Sequence, residues 1–215
     1  MGPGPAGGRV TVAAGGARLK MSADSEGYAS RGGVKLEAAL RRFGLDVTGW
    51  VCVDFGSHVG GFVDCLLRHG AARVYAVDTA YGLLDYRLRR DSRVVPCERT
   101  NALNFTCPES CNLVTIDVGW TPQRLVVPAA GRCLKPQVGR VLTLVKPQYE
   151  APGEWLRKGV LPPERVGEVL AMCRQDLTGL GWHILGEMAS PLRGQGGNTE
   201  FLWLLEMSGR AQTSR

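Results

Sequence analysis

The chain holds 215 residues, 44% hydrophobic and 21% charged, an ordinary composition for a protein that buries one substantial core. A formal net charge of +6 and a pI near 9.1 favour a polyanionic partner, which leaves RNA, DNA and an acidic membrane surface open. No run approaches the roughly 20 apolar residues of a membrane span, and residues 1–8 lack the parts of a secretory signal, so a cytoplasmic protein is expected.

Residues 1–26 are rich in glycine and small side chains and carry only Arg9, Arg18 and Lys20 as basic groups, so they are read as a disordered tail. A domain over 27–208 and a second tail over 209–215 complete the expected organisation. Apolar runs then alternate with amphipathic stretches. The first predicted helix covers 34–43, with Leu36, Ala39, Leu40 and Phe43 on one face. A strand at 50–55, a helix at 61–68, a strand at 73–77 and a helix at 83–90 follow. Buried strands are predicted at 94–97, 113–116 and 140–145, the last two separated by a helix at 124–133. Pro163 opens a helix at 164–180, and strands at 183–188 and 200–205 close the chain as a hairpin around the glycine-rich 191–198. This alternation predicts a doubly wound α/β fold with a mostly parallel seven-stranded sheet and one antiparallel strand, its ligands at the carboxyl ends of the strands.

The segment 51–62, Val-Cys-Val-Asp-Phe-Gly-Ser-His-Val-Gly-Gly-Phe, reads as a strand, a glycine loop and a helix start. Gly56 suits a sharp turn, while Gly60 and Gly61 would let backbone approach a ligand. A dinucleotide site wants G-x-G-x-x-G; here glycines stand at 56, 60 and 61, with Asp54 two residues before the first. An acid there suits a cationic ligand better than a pyrophosphate. Asp78 ends the next strand, where a carboxylate can accept hydrogen bonds from ribose hydroxyls, as either a nicotinamide or an S-adenosylmethionine site would require. His58 is read as a loop-shaping residue. Seven cysteines, odd in number and mostly within apolar runs, read as reduced thiols. Cys107 and Cys111 lack further ligands at a useful spacing, so no metal is expected. Aromatic residues make up 7% of the chain, with no interleaved aromatic and basic pattern of a base-stacking sheet.

Four further motifs complete the pattern: Ser-Arg-Gly-Gly-Val-Lys-Leu-Glu at 30–37, Thr-Ile-Asp-Val-Gly at 115–119, Leu-Val-Lys-Pro-Gln-Tyr-Glu at 144–150 and Gly-Asn-Thr-Glu-Phe at 197–201. With the glycine loop and the Glu-Arg-Thr-Asn run at 98–101, they resemble, in order and spacing, the TlyA-type haemolysin and ribosomal RNA methyltransferase family, a branch of the FtsJ-like ribose methyltransferases. The resemblance implies an S-adenosylmethionine-dependent ribose 2′-O-methyltransferase acting on RNA, most naturally ribosomal RNA. It assigns a Lys-Asp-Lys-Glu tetrad to Lys35, Asp117, Lys146 and Glu200. With the loop reading, it puts the cofactor against Asp54, Gly56, Ser57, Gly60, Gly61, Phe62, Asp78, Asn101 and Asp117, and brings Ser30, Arg31 and Gly32 near the reacting groups. RNA binding is expected to be electrostatic, through Arg31, Arg41, Arg42 and Arg193.

The sequence also departs from the family pattern. Ser57-His58-Val59 replaces the usual Ala-Ser-Thr, Val118-Gly119-Trp120 replaces Val-Ser-Phe, and the loop at 157–161 is shortened. The tail stands where the family carries a small RNA-binding domain. A catalytically weak RNA-binding or assembly protein on the same fold, and a nicotinamide oxidoreductase, are the competing readings; the intact tetrad opposes the first and the glycine spacing the second.

Overall fold

The computed structural model describes residues 27–208; the predicted tails at 1–26 and 209–215 lie outside the described residues. The chain runs through helix α1 (Gly32–Phe43), strand β1 (Val51–Phe55), α2 (Gly61–Arg68), β2 (Arg73–Val77), α3 (Tyr86–Arg89), β3 (Val94–Cys97), β4 (Leu113–Ile116), α4 (Gln123–Gly131), β5 (Arg140–Val145), α5 (Pro147–Glu150), α6 (Pro163–Gly179), β6 (Trp182–Ala189) and β7 (Phe201–Met207). Seven strands form one sheet in the order β3-β2-β1-β4-β5-β7-β6. β1 pairs in parallel with β2 and β4, and β4 with β5, while β7 runs antiparallel to both β5 and β6. The strand order reverses at β1, which puts a crevice at the carboxyl ends of β1 and β4.

Strand alternation divides the core between the two faces. Cys52 of β1 and Leu142 and Leu144 of β5 face α1 and α2, with Leu36, Leu40, Val63 and Leu66. Val53 and Phe55 of β1 and Val141 and Val145 of β5 face α4 and α6, with Val126, Val127, Val169 and Leu177. Strands buried on both faces read as continuous apolar runs, which is why β1, β4 and β5 were legible. α1 ends as its sequence asks, with Gly44 left-handed at φ 64° and the Leu45 N–H donating to the Leu40 carbonyl.

The helix predicted at 83–90 shrinks to the single turn α3. Asp85 is extended, its carboxylate accepts the Arg87 N–H, and Gly82 at φ 74° turns the chain just before it, so helical geometry cannot begin earlier. Strands β6 and β7 extend past their predicted ends because they pair with each other along most of their length. The turn α5 was not predicted; Pro147 occupies its first position, directly after β5.

Candidate active site

A cavity of about 700 Å³ opens at the carboxyl ends of β1, β2 and β4. Its walls come from the strap before α1 (Ser30, Arg31, Gly32), from Lys35, from the loop after β1, from Asp78 and Thr79, from Thr100–Leu103, from Asp117–Thr121 and from Lys146. The strap is pinned to α2. The Ala29 N–H donates to Asp64, Arg68 pairs with the same carboxylate at 2.8 Å, and the Arg68 guanidinium lies over the Tyr28 ring. Those contacts hold Ser30 and Arg31 against the glycine loop.

Gly56 sits at φ 85°, and a Cβ there would meet the Asp117 carbonyl oxygen at 2.4 Å, so only glycine lets the loop pass over the end of β4. Gly60 and Gly61 require a correction. A Cβ at Gly60 would meet Leu88 at 2.3 Å and one at Gly61 would meet Ser30 Oγ at 2.1 Å, so packing against the chain itself already requires glycine at both positions. Gly61 still borders the cavity, with Ser57 and Phe62, whereas Gly60 does not.

Three carboxylates line the cavity. Asp54 is fully buried at its floor; Oδ1 accepts the Thr115 hydroxyl at 2.7 Å, and Oδ2 has no partner among the described residues. Burial above all pushes this carboxyl up to about 8, with Asp117 and Asp78 adding to the shift and the Thr115 hydroxyl opposing it. Asp78 accepts the His58 N–H at 2.8 Å and the Ala80 N–H at 2.7 Å, so it shapes the glycine loop while keeping lone pairs for a ligand. His58, at φ 46°, therefore contributes through its backbone. Asn101 borders the cavity, but its side chain already caps the following turn by accepting the Leu103 N–H.

The four charged residues assigned to chemistry form two ion pairs. Lys35 Nζ lies 2.5 Å from Glu200, which is almost wholly buried just before β7. Lys146 Nζ lies 2.7 Å from Asp117 and donates to the Val118 carbonyl at 3.2 Å. Lys35, Asp117 and Lys146 border the cavity, and Glu200 reaches it only through Lys35.

Of the arginines expected to meet a polyanion, Arg31 stands exposed at the cavity wall. Arg41 and Arg42 lie at the far end of α1, about 15 Å along its axis. Arg41 pairs with Glu37, and Arg193 donates to Thr199 and Gly197, bracing its own loop. Sequence reasoning missed an aromatic pair. Trp120, 82% exposed and held at φ 60°, stacks on Tyr149 with ring centroids 4.5 Å apart, beside Lys146. Its sequence signals are a large aromatic in a loop that follows a strand end and the departure from the family pattern at 118–120. Among the described residues no three potential ligands converge to hold a metal ion, and no helix is long and apolar enough to cross a membrane.

A seven-stranded sheet with β7 reversed, a strand-order switch at β1 and a carboxylate-lined glycine loop define the Rossmann-like fold of S-adenosylmethionine-dependent methyltransferases. The chain belongs to the FtsJ-like methyltransferase family, whose profile matches residues 28–207. It is 42% identical over 206 residues to the 16S/23S rRNA (cytidine-2′-O)-methyltransferase TlyA of Mycobacterium tuberculosis, covering 92% of this chain and 76% of that protein. It is 40% identical to the putative rRNA methyltransferase YqxC of Bacillus subtilis, covering 86% and 68% of the two chains. Among solved structures, a putative hemolysin from Lactococcus lactis superposes with a TM-score of 0.79 at 37% identity, covering 83% of this chain and 88% of that one.

Proposed function

We propose that the protein transfers a methyl group from S-adenosylmethionine to a ribose 2′-hydroxyl of ribosomal RNA, with residues 27–208 forming the catalytic domain. The observation that carries this reading is the Lys146–Asp117 pair on the wall of the same cavity that the glycine loop enters. The names of the TlyA and YqxC relatives support an RNA substrate, and a cytoplasmic site of action accords with ribosomal RNA.

The cofactor fits the residues present. A buried carboxyl with an unpartnered oxygen suits its cationic methionyl end, Asp78 retains acceptors for a ribose, and the volume lies within the range of small-molecule sites. When bound, S-adenosylmethionine supplies an electrophilic methyl on a sulfonium. Lys146 spends two of its three N–H groups on Asp117 and Val118, which leaves one for the acceptor oxygen. It thereby aims the oxygen and stabilises the negative charge that develops there. The hydroxyl proton passes to solvent as the O–C bond forms and the S–C bond breaks. Lys35, fixed by Glu200, adds positive charge at the wall, and the Trp120–Tyr149 pair offers a face on which an extruded base can stack.

Mass mapping of ribosomal RNA with and without the gene tests the reading directly: one ribose methyl should disappear. Lys146→Ala should slow transfer by about 100- to 10,000-fold with cofactor binding retained. Lys146→Arg, which keeps the charge, should retain part of the rate if Lys146 acts as a fixed cation. An alanine variant as fast as the parent would remove Lys146 from the chemistry, and ribosomal RNA methylated identically without the gene would return the protein to the assembly-factor reading.

A further inference from the structure

Two short segments carry the groups nearest the proposed chemistry. The 117–121 loop holds Asp117 and Trp120, and the turn opened by Lys146 holds Tyr149. Within the cavity they are joined by the Lys146 contacts, and at its edge by the aromatic pair. A third link lies outside the cavity wall. α4 begins directly after the 117–121 loop, and its cap residue, Pro122, has no side chain able to satisfy the first N–H groups. The missing acceptor comes from α5: Glu150 Oε1 takes the Gln123 N–H at 3.0 Å. Gln123 is itself buried, accepting the Thr143 hydroxyl from β5 at 2.7 Å, so the linkage ends on a rigid strand.

From this arrangement we infer that Glu150 is a positioning residue: by capping α4 from the α5 turn, it fixes Lys146 relative to Asp117. The inference rests on the methyl-transfer reading of Lys146. Glu150 does not touch the cavity, and the Lys-Pro-Gln-Tyr-Glu motif that ends with it is otherwise used only at Lys146 and Tyr149.

Burial, mainly, pushes the Glu150 carboxyl up to about 7; the Gln123 N–H, Cys173 of α6 and Arg124 of α4 oppose the shift, and Asp176 of α6 adds to it. Both forms of the carboxyl can accept the Gln123 N–H. The helix N-terminus favours the ionised form, but the burial that raises the pKa outweighs that preference. The clamped carboxyl binds its proton more tightly than a solvent-exposed one, so the clamp weakens as pH rises through about 7.

The test compares the full chain with its Glu150→Gln and Glu150→Ala variants. Glutamine keeps a neutral acceptor and cannot ionise. The ratio of parent to Glu150→Gln kcat should fall from about one below pH 6 to several-fold below one above pH 8, with the midpoint near 7. Glu150→Ala should lower kcat by about tenfold or more, leave KM for S-adenosylmethionine within about twofold, and speed hydrogen exchange selectively across 117–126. A pH-independent ratio, or an alanine variant that loses cofactor affinity and rate together, would overturn the inference. A parent without methyl transfer would refute the proposed function and this inference with it. A methylating parent beside an equally fast alanine variant would refute the inference alone.

Discussion

Replacing Asp54 by asparagine removes an ionisable group while preserving its shape and its capacity to accept the Thr115 hydroxyl. In the parent, burial first and then the neighbouring Asp117 and Asp78 raise this carboxyl from 3.8 to about 8. The folded protein holds the proton more tightly than the unfolded chain. Between those two values the folded state binds more protons, so stability falls as pH rises, by about 1.4 kcal/mol per pH unit. The accumulated loss at pH 7 is about 4 kcal/mol, and Asp54→Asn does not suffer it. The variant's melting temperature, measured against the parent from pH 4.5 to 8, should therefore gain steadily, by about 8–16 °C across the range. Cofactor binding should reverse the protonation: a cation beside Asp54 favours the carboxylate, so calorimetry at pH 7 in buffers of different ionisation enthalpy should record close to one proton released by the parent and none by the variant. Parallel melting profiles for the two proteins would refute the reasoning.

Lys35→Met strands the buried Glu200 carboxylate and should cost about 3–5 kcal/mol in urea unfolding, much of it recovered by adding Glu200→Gln. Should the single variant unfold like the parent, Glu200 does not depend on Lys35. Trp120→Ala should raise KM for RNA through a stacking loss of about 1–3 kcal/mol, with cofactor affinity unchanged. An unaltered KM would show that no base uses this face. RNA affinity should fall steeply with salt, and Arg31→Ala should reduce the log–log slope by about 1, whereas Arg193→Ala, whose side chain braces its own loop, should act mainly on stability.

The parts of the fold legible in the sequence were those fixed by short-range physics. β1, β4 and β5 are apolar on both faces, Gly44 stops α1, and Pro163 starts α6. Asp54, Asp78, Asp117 and Lys146 could be named because each lies near or just past the end of a readable strand. What stayed hidden depends on contacts distant in sequence. Nothing around Gly60 announces that Leu88 occupies its missing side chain, and nothing around Glu150 announces that Gln123 needs a cap. The arginines show the same limit from the other side: Arg41 looks free beside Arg42 until Glu37 is seen one turn back on the same helix face. Trp120 was visible as a departure from the family pattern, but its partner Tyr149 lies 29 residues away in the chain and is brought to it only by the pairing of β4 with β5.

The bare Cα of Gly56 resting on the Asp117 carbonyl limits how this protein can be remodelled. Any side chain at position 56 would push on the backbone of the residue that partners Lys146, so a change meant to adjust the proposed cofactor's fit would be transmitted to the proposed reaction centre. Selection, and a protein engineer seeking room for bulkier alkyl donors, would find those two properties inseparable at that point. Thr79 and Asn101 border the same cavity with exposed side chains, and of the two Asn101 is already tied to the turn it caps.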